Sequence, residues 1–385
     1  MKYIVILGDG MADEPRPELG GRTPLEYAET PNMDRIARDG ASGMLKTVPD
    51  GYEPGSDVAN LSVLGYEPEK CYTGRGPLEA VSMGIDLGPD EIAYRCNLVT
   101  VQDEVMADFA AGHITSEESA ELFASLNEAM DSRVTFYPGI SYRNLCVVEN
   151  GMGSETTAPH DIVDQKIKDY LPDGGDADLL MECIMKSREV FLNHPVNLKR
   201  IADGKRPATQ IWPWSGGKKP VLPDFMDKYG HTGGMISAVD LLNGIARCAG
   251  MEIITVPGAT GYLDTDYMAK ARYAIEALKR LDFVYMHVEA TDEAGHLGST
   301  EEKVKAIERL DEAVGLILSE VEGVIAVLPD HPTPVRLKTH TREPVPFAVL
   351  GKGTDSTTVY SENEAPKGSF GLMDARDFLY MLFAA

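Results

Sequence analysis

In the later part of the chain, short apolar runs alternate with long amphipathic segments. Runs at residues 252–256, 283–288 and 324–328 are separated by helical patterns at 267–280 and 301–320, and a further apolar run occupies 346–350. Strands that alternate with helices of this length leave little choice of architecture. Each helix carries the chain back so that the next strand lies parallel to the last, and the helices cover both faces of the sheet. The first residues fit the same pattern: the apolar run 3–7 closes in Gly8-Asp9-Gly10, a buried strand entering a loop. A helix follows at 30–37 with Pro31 at its first position and Gly40 as its stop, then a strand at 42–48. Gly55-Ser56-Asp57 precedes a short helical pattern ended by Gly65, and another helix is expected at 236–250.

From about residue 88 the texture changes. Strands are expected at 92–101, 105–109, 134–137 and 144–149, with helices at 116–129 and 177–193. The segments 199–207 and 215–220 look like surface connections. A chain of 385 residues is of a length for two domains. The expectation is therefore an α/β protein whose mostly parallel, helix-flanked sheet is built from residues 1–87 and 216–385, with a smaller α/β domain inserted at 88–215.

Composition narrows the partners. Hydrophobic residues make up 43% and charged residues 25%, as in an ordinary globular protein. A formal charge of −25 excludes a nucleic-acid partner, since phosphate backbones demand clustered Lys and Arg. An anionic substrate then needs a local cationic site made of metal ions or a few arginines. The five cysteines are odd in number and form no C-x-x-C pair, which points to a reducing cytoplasm. No apolar stretch approaches the ~20 residues of a membrane helix, and the run 3–7 is too short for a signal segment.

Three aspartates fall just beyond strands: Asp9 after 3–7, Asp292 after 283–288 and Asp330 after 324–328. Ligands of open parallel sheets bind outside the carboxyl ends of the strands, so the three converge if their strands are neighbours. Strand-end aspartates also cap helices and form turns, but here histidines accompany them. Asp292-Glu293-Ala294-Gly295-His296 spaces a carboxylate and an imidazole for one ion, Asp330-His331 is an adjacent pair, and His340 follows. Mixed Asp and His donors without thiolates suit divalent ions such as Zn²⁺ or Mn²⁺. Ser56, at a helix start where backbone N–H groups favour phosphate, is the candidate nucleophile; its alternative role is that of an N-cap.

Taken with Thr30-Pro31-Asn32-Met33-Asp34-Arg35-Ile36-Ala37, Tyr72-Thr73-Gly74-Arg75-Gly76-Pro77-Leu78-Glu79-Ala80, Ala158-Pro159-His160-Asp161-Ile162 and Pro344-Val345-Pro346-Phe347, these motifs span the whole chain in order. In that arrangement the chain resembles the alkaline phosphatase superfamily, and within it the archaeal-type cofactor-independent phosphoglycerate mutases and their bacterial relatives. The resemblance implies two divalent ions (Mn²⁺, Zn²⁺, Co²⁺ or Mg²⁺) and no bisphosphoglycerate cofactor. One ion would be held by Asp292, His296 and His340, the other by Asp9, Ser56, Asp330 and His331. The activity implied is transfer of the phosphoryl group of 3-phosphoglycerate to Ser56 and its return to the 2-hydroxyl. The inserted domain would cover this small phosphorylated substrate, with His160 exchanging a hydroxyl proton. Arg75, Arg95 and Arg143 would contact carboxylate or phosphate, and Lys228 resembles a lysine of the larger bacterial mutases.

Two stretches depart from that family's pattern. Ala111-Gly112-His113-Ile114 carries His113 where an arginine is expected, and Trp212-Pro213-Trp214 stands in place of an arginine-bearing loop. These features are similar to a bacterial branch that phosphorylates homoserine, which leaves a homoserine kinase-like phosphotransferase as the alternative. No G-x-x-x-x-G-K-[ST] loop is present for nucleotide binding. A non-catalytic phosphoester-binding protein is the third reading, opposed by the intact set of ligands.

Overall fold

The structure is a computed structural model that describes residues 1–130 and 133–384. The chain forms two compact units, one made of Met1–Tyr72 with Val221–Ala385, the other of Thr73–Pro220.

The first unit is built on an eight-stranded sheet. Its strands lie in the order Gly371–Asp374, Ala41–Lys46, Val345–Leu350, Gly323–Leu328, Lys2–Gly8, Phe283–Val288, Gly233–Ile236, Glu252–Ile253. Pairing is parallel except on the two sides of Val345–Leu350, which runs antiparallel to both neighbours. The three central strands, Gly323–Leu328, Lys2–Gly8 and Phe283–Val288, are almost wholly buried, as continuous apolar sequence in a doubly covered sheet requires. Helices Pro31–Asp39, Tyr267–Leu278 and Thr300–Glu320 supply Met33, Ile36, Ala274, Ile307, Leu310 and Val314 to the core against Ile4, Ile6, Val284 and Val327. The long helix Thr300–Glu320 is capped by the Ser299 hydroxyl, which accepts from the Glu302 N–H.

The second unit holds a five-stranded antiparallel sheet. Val105–Asp108, Ile92–Gln102, Arg143–Val148 and Val134–Ile140 follow one another, and Gln210–Gly217 also pairs with Ile92–Gln102. Helices Ser116–Ala129 and Ala177–Leu192 bury Leu122, Phe123, Leu126, Leu180, Cys183 and Phe191 against it.

Several expectations from the sequence are corrected. The single helix expected at 236–250 is a strand, Gly233–Ile236, followed by the helix Asp240–Cys248. The expected connection at 199–207 begins in a helix, Pro195–Ala202, which starts on a proline and is capped by His194. There Arg200 is buried, and donates to the carbonyls of Ala111 and Gly112 while pairing with Glu118. The stretch 215–220 is in part the end of the strand Gln210–Gly217; Pro213 and two glycines weaken its strand signal, and the outer position tolerates the proline. Helix Arg75–Ser82 joins the second unit, so that unit begins at Thr73 rather than 88: Gly76 sits so close to the Ala93 carbonyl that a Cβ would collide with it. Among the described residues no helix is long and apolar enough to cross a membrane.

Candidate active site

The three aspartates expected at strand ends are delivered by the three central, adjacent strands of the first unit. Asp9 follows Lys2–Gly8 and Asp330 follows Gly323–Leu328, while Asp292 lies in the helix Ala290–Leu297 that succeeds Phe283–Val288. Gly10 carries the chain between them. Its φ is +59°, and a Cβ there would strike Thr333 and Asp292, so the position favours glycine twice over. Its N–H donates to Asp330 Oδ1 at 3.0 Å, and the His331 N–H donates to the same oxygen at 2.9 Å. Asn60 donates to the other Asp330 oxygen, Oδ2, at 2.8 Å and is itself held by the Tyr285 hydroxyl.

Asp9, Asp330 and His331 are buried. Burial pushes the Asp9 carboxyl well above the usual range, and the neighbouring charges of Asp330 and Asp292 push it further. Three carboxyl groups gathered this closely, Asp9 and Asp330 of them buried, are a surplus of negative charge that cations would offset.

Ser56 is the first residue of the helix Ser56–Val63, and Gly55 occupies the N-cap position. The hydroxyl is therefore not spent on capping. It lies 3.4 Å from both Asp9 oxygens and 3.2 Å from His331 Nε2. Burial lowers the His331 pKa, leaving a neutral imidazole with a lone pair to offer.

A second group of donors adjoins the first. His296 follows Asp292 by one helical turn, and its Nε2 lies 3.1 Å from Asp292 Oδ2. His340 Nε2 is 3.5 Å from Asp292 Oδ1 and 3.0 Å from His296 Nε2. The outer ring nitrogens are occupied elsewhere, His296 Nδ1 by the Lys338 carbonyl and His340 Nδ1 by that of Pro54. A backbone carbonyl fixes the proton on Nδ1 and aims the Nε2 lone pair inward, the arrangement of metal-ligating histidines. Burial opposes the charge on His296, but Asp292 outweighs it and pushes its pKa up to about 9, so without an ion a proton occupies this position.

Two clusters each bring their donor atoms within 4.8 Å of one another: Asp292 with His331 and His340, and Asp9 with His287 and Asp330. All six residues expected to hold metal through carboxylate or imidazole, with Ser56, thus meet in one region. His331 borders both clusters. The residue that motif reasoning missed is His287. It sits inside the strand Phe283–Val288, where it reads as core, and a lone imidazole in an otherwise apolar run is its only signal. Burial lowers its pKa, yet Asp9 and Glu289 outweigh that and raise it to about 10.

The remaining candidates group in the second unit, apart from Lys228. Arg95 pairs with Glu79 at 3.1 Å and lies over the Trp214 ring, 4.5 Å from its centroid. Its pKa is lowered by burial, and the like charges of Arg75 and Arg143 lower it further. The three guanidinium groups are thus near enough for each to feel the others' charge. The His160 ring meets the edges of Trp214 and Phe109. Burial lowers its pKa, against the pull of Asp161 and with the help of Arg75 and Arg95, which favours the neutral, proton-accepting form.

The tryptophans that interrupt the expected arginine loop are buried strand residues. Trp212 donates to the Thr157 carbonyl and Trp214 to the Asn97 side chain. Trp214 supports the Arg95 guanidinium. His113 lies in a loop with three successive positive φ values and packs near Tyr142. Lys228, in the first unit, lies over the rings of Tyr66, Tyr229 and Tyr380 and donates to the Tyr380 hydroxyl, so its contacts are with tyrosines and not with the carboxylate–imidazole cluster.

The family described as 2,3-bisphosphoglycerate-independent phosphoglycerate mutase matches residues 37–197. A protein of that name from Methanothrix thermoacetophila is 50% identical over 392 aligned positions, covering 100% of each chain. A solved structure of a Pyrococcus horikoshii protein is similar with a TM-score of 0.85 and 34% identity, covering 99% of this chain and 96% of the other. The cofactor-independent phosphoglycerate mutase of Thermoplasma acidophilum gives a TM-score of 0.68 at 26% identity, covering 99% of each.

Proposed function

We propose, since the chain belongs to the 2,3-bisphosphoglycerate-independent phosphoglycerate mutase family, that it interconverts 3-phosphoglycerate and 2-phosphoglycerate through a phosphoserine at Ser56. The observation that carries this reading is the Ser56 hydroxyl, released from capping and set between Asp9 and His331. Ser56 Oγ gives up its proton and attacks the phosphorus of the substrate, the ester bond to glycerate breaks, and the leaving oxygen takes up that proton. Glycerate reorients, and its other hydroxyl attacks the phosphoserine and restores Ser56. No external phosphoryl donor is consumed, which is why bisphosphoglycerate is not needed.

The donor set fits two divalent ions. We assign Asp292, His296 and His340 to one, and Asp9, Ser56, Asp330 and His331 to the other; Mn²⁺, Zn²⁺, Co²⁺ and Mg²⁺ all suit such ligands. When bound, the ions supply charge neutralisation for the phosphoryl oxygens and lower the pKa of the serine hydroxyl. Asn60 and the Gly10 and His331 amides hold Asp330 in place, so the donor oxygens need little reorganisation. Lacking charge at neutral pH, His160 serves as the proton acceptor and donor for the glycerate hydroxyl. Arg75, Arg95 and Arg143 bind the carboxylate and phosphate. The five free cysteines suit a cytoplasmic location.

The test is turnover of 3-phosphoglycerate without bisphosphoglycerate, run beside homoserine plus ATP. Phosphohomoserine formation in place of 2-phosphoglycerate would replace this reading with the kinase one.

A further inference from the structure

Behind Asp9 lies a buried chain of charged groups that the reaction as described does not use. His287 is fully buried, and its Nδ1 lies 3.1 Å from Glu289 Oε1. Glu289 in turn accepts from Lys270, also fully buried, whose amine donates a second bond to the His287 carbonyl at 2.9 Å. The Ala238 N–H and the Ser237 hydroxyl donate to Glu289 Oε1 as well. An ionised carboxylate only accepts, so this surround fixes a proton on His287 Nδ1 and leaves Nε2 pointing into the site.

That Nε2 is an orphan. It lies 3.1 Å from Asp9 Oδ2, close enough for an ionic contact, yet it makes no directed hydrogen bond. If it is deprotonated, a lone pair faces carboxylates. If it is protonated, a buried N–H faces Asp9 without an aligned acceptor. Nε2 and one oxygen each of Asp9 and Asp330 lie within 4.8 Å of one another, a grouping able to close around a single metal ion. We propose that His287 is a further ligand, through Nε2, of the ion held by Asp9 and Asp330, with Glu289 and Lys270 as the groups that orient its ring. Carboxylate–histidine–metal triads of this kind fix both ring angle and tautomer. The inference rests on the two-metal reading given above.

Metal binding decides it. The wild-type protein, stripped and reloaded with Mn²⁺, is expected to bind two ions, and a crystal structure of that form to place an ion about 2.0–2.3 Å from His287 Nε2. In equilibrium titrations with Mn²⁺, His287→Asn is expected to weaken one ion by at least tenfold and to spare the other. Glu289→Gln, which keeps the imidazole, is expected to weaken that same ion by roughly tenfold. Two ions in the wild type with Nε2 more than 3 Å from either, or two unchanged affinities in folded His287→Asn, would overturn the ligand assignment while the two-metal reading stands; His287 would then serve only to neutralise Asp9. A wild-type protein that binds no divalent ion would sink both together.

Discussion

The Nε2 atoms of His296 and His340 face each other at 3.0 Å, each with its other nitrogen against a backbone carbonyl. Two imidazole nitrogens approach so closely only when a proton or a cation lies between them. Metal binding therefore competes with protonation. With His296 pushed up to about 9, affinity for Mn²⁺ is expected to rise steadily from pH 6 to pH 9, with release of protons on binding. Titration calorimetry in buffers of different ionisation heat measures that release. Chelation is expected to abolish turnover, and Mn²⁺ to restore it; His296→Ala that keeps full activity and two bound ions would remove His296 from the site.

Ser56→Ala is expected to lose activity by several orders of magnitude with little change in Tm, because the N-cap is Gly55 and no capping bond is lost. Mass spectrometry of substrate-trapped wild-type protein is expected to find phosphate on the peptide containing Gly55-Ser56-Asp57. An alanine variant with near-normal turnover contradicts the covalent route.

Arg143 is exposed at the start of its strand, with its guanidinium over Tyr142. Arg143→Ala is expected to raise KM about tenfold, the loss of one charge-assisted contact of ~1.4 kcal/mol. Because the side chain is not core, Tm is expected to stay within a degree or two. Steady-state kinetics with an unchanged KM would exclude it from substrate binding.

Glu362 gives the fold a pH dependence of its own. Its oxygens accept from the Asp13 N–H and the Thr23 hydroxyl, and burial raises its pKa from 4.5 to about 7. The folded state thus prefers the protonated acid. Its contribution to stability is complete below pH 4.5 and is lost as pH rises towards 7. Glu362→Gln is expected to flatten that part of the profile, as measured by urea unfolding at pH 5 and pH 7.5. A parallel loss in the variant would assign the slope to another group.

The cluster of candidate metal ligands was legible because strand-end acidic residues carry their position in the sequence. Asp9, Asp292 and Asp330 each follow an apolar run, and parallel topology sends such ends to one rim. His287 was not legible, since within Phe283–Val288 nothing distinguishes a ligand from core except its chemistry. Gln210–Gly217 was hidden by Pro213 and by glycines, which lower strand propensity where an outer strand can bear it. The antiparallel turn of Val345–Leu350 was likewise invisible, because a buried strand looks alike in either direction.

The order of the central strands has a consequence for synthesis. Asp330 accepts from the Gly10 amide across a separation of 320 residues, and Lys2–Gly8 is flanked by strands that begin at Phe283 and Gly323. While the ribosome is still making most of the chain, the first strand has neither neighbour, and Asp9 has no partner with which to hold an ion. The apolar segment 3–7 lacks both of its strand neighbours until residues 283–328 have been made. A message truncated before its last portion would yield a chain that keeps Ser56 and has nowhere to activate it.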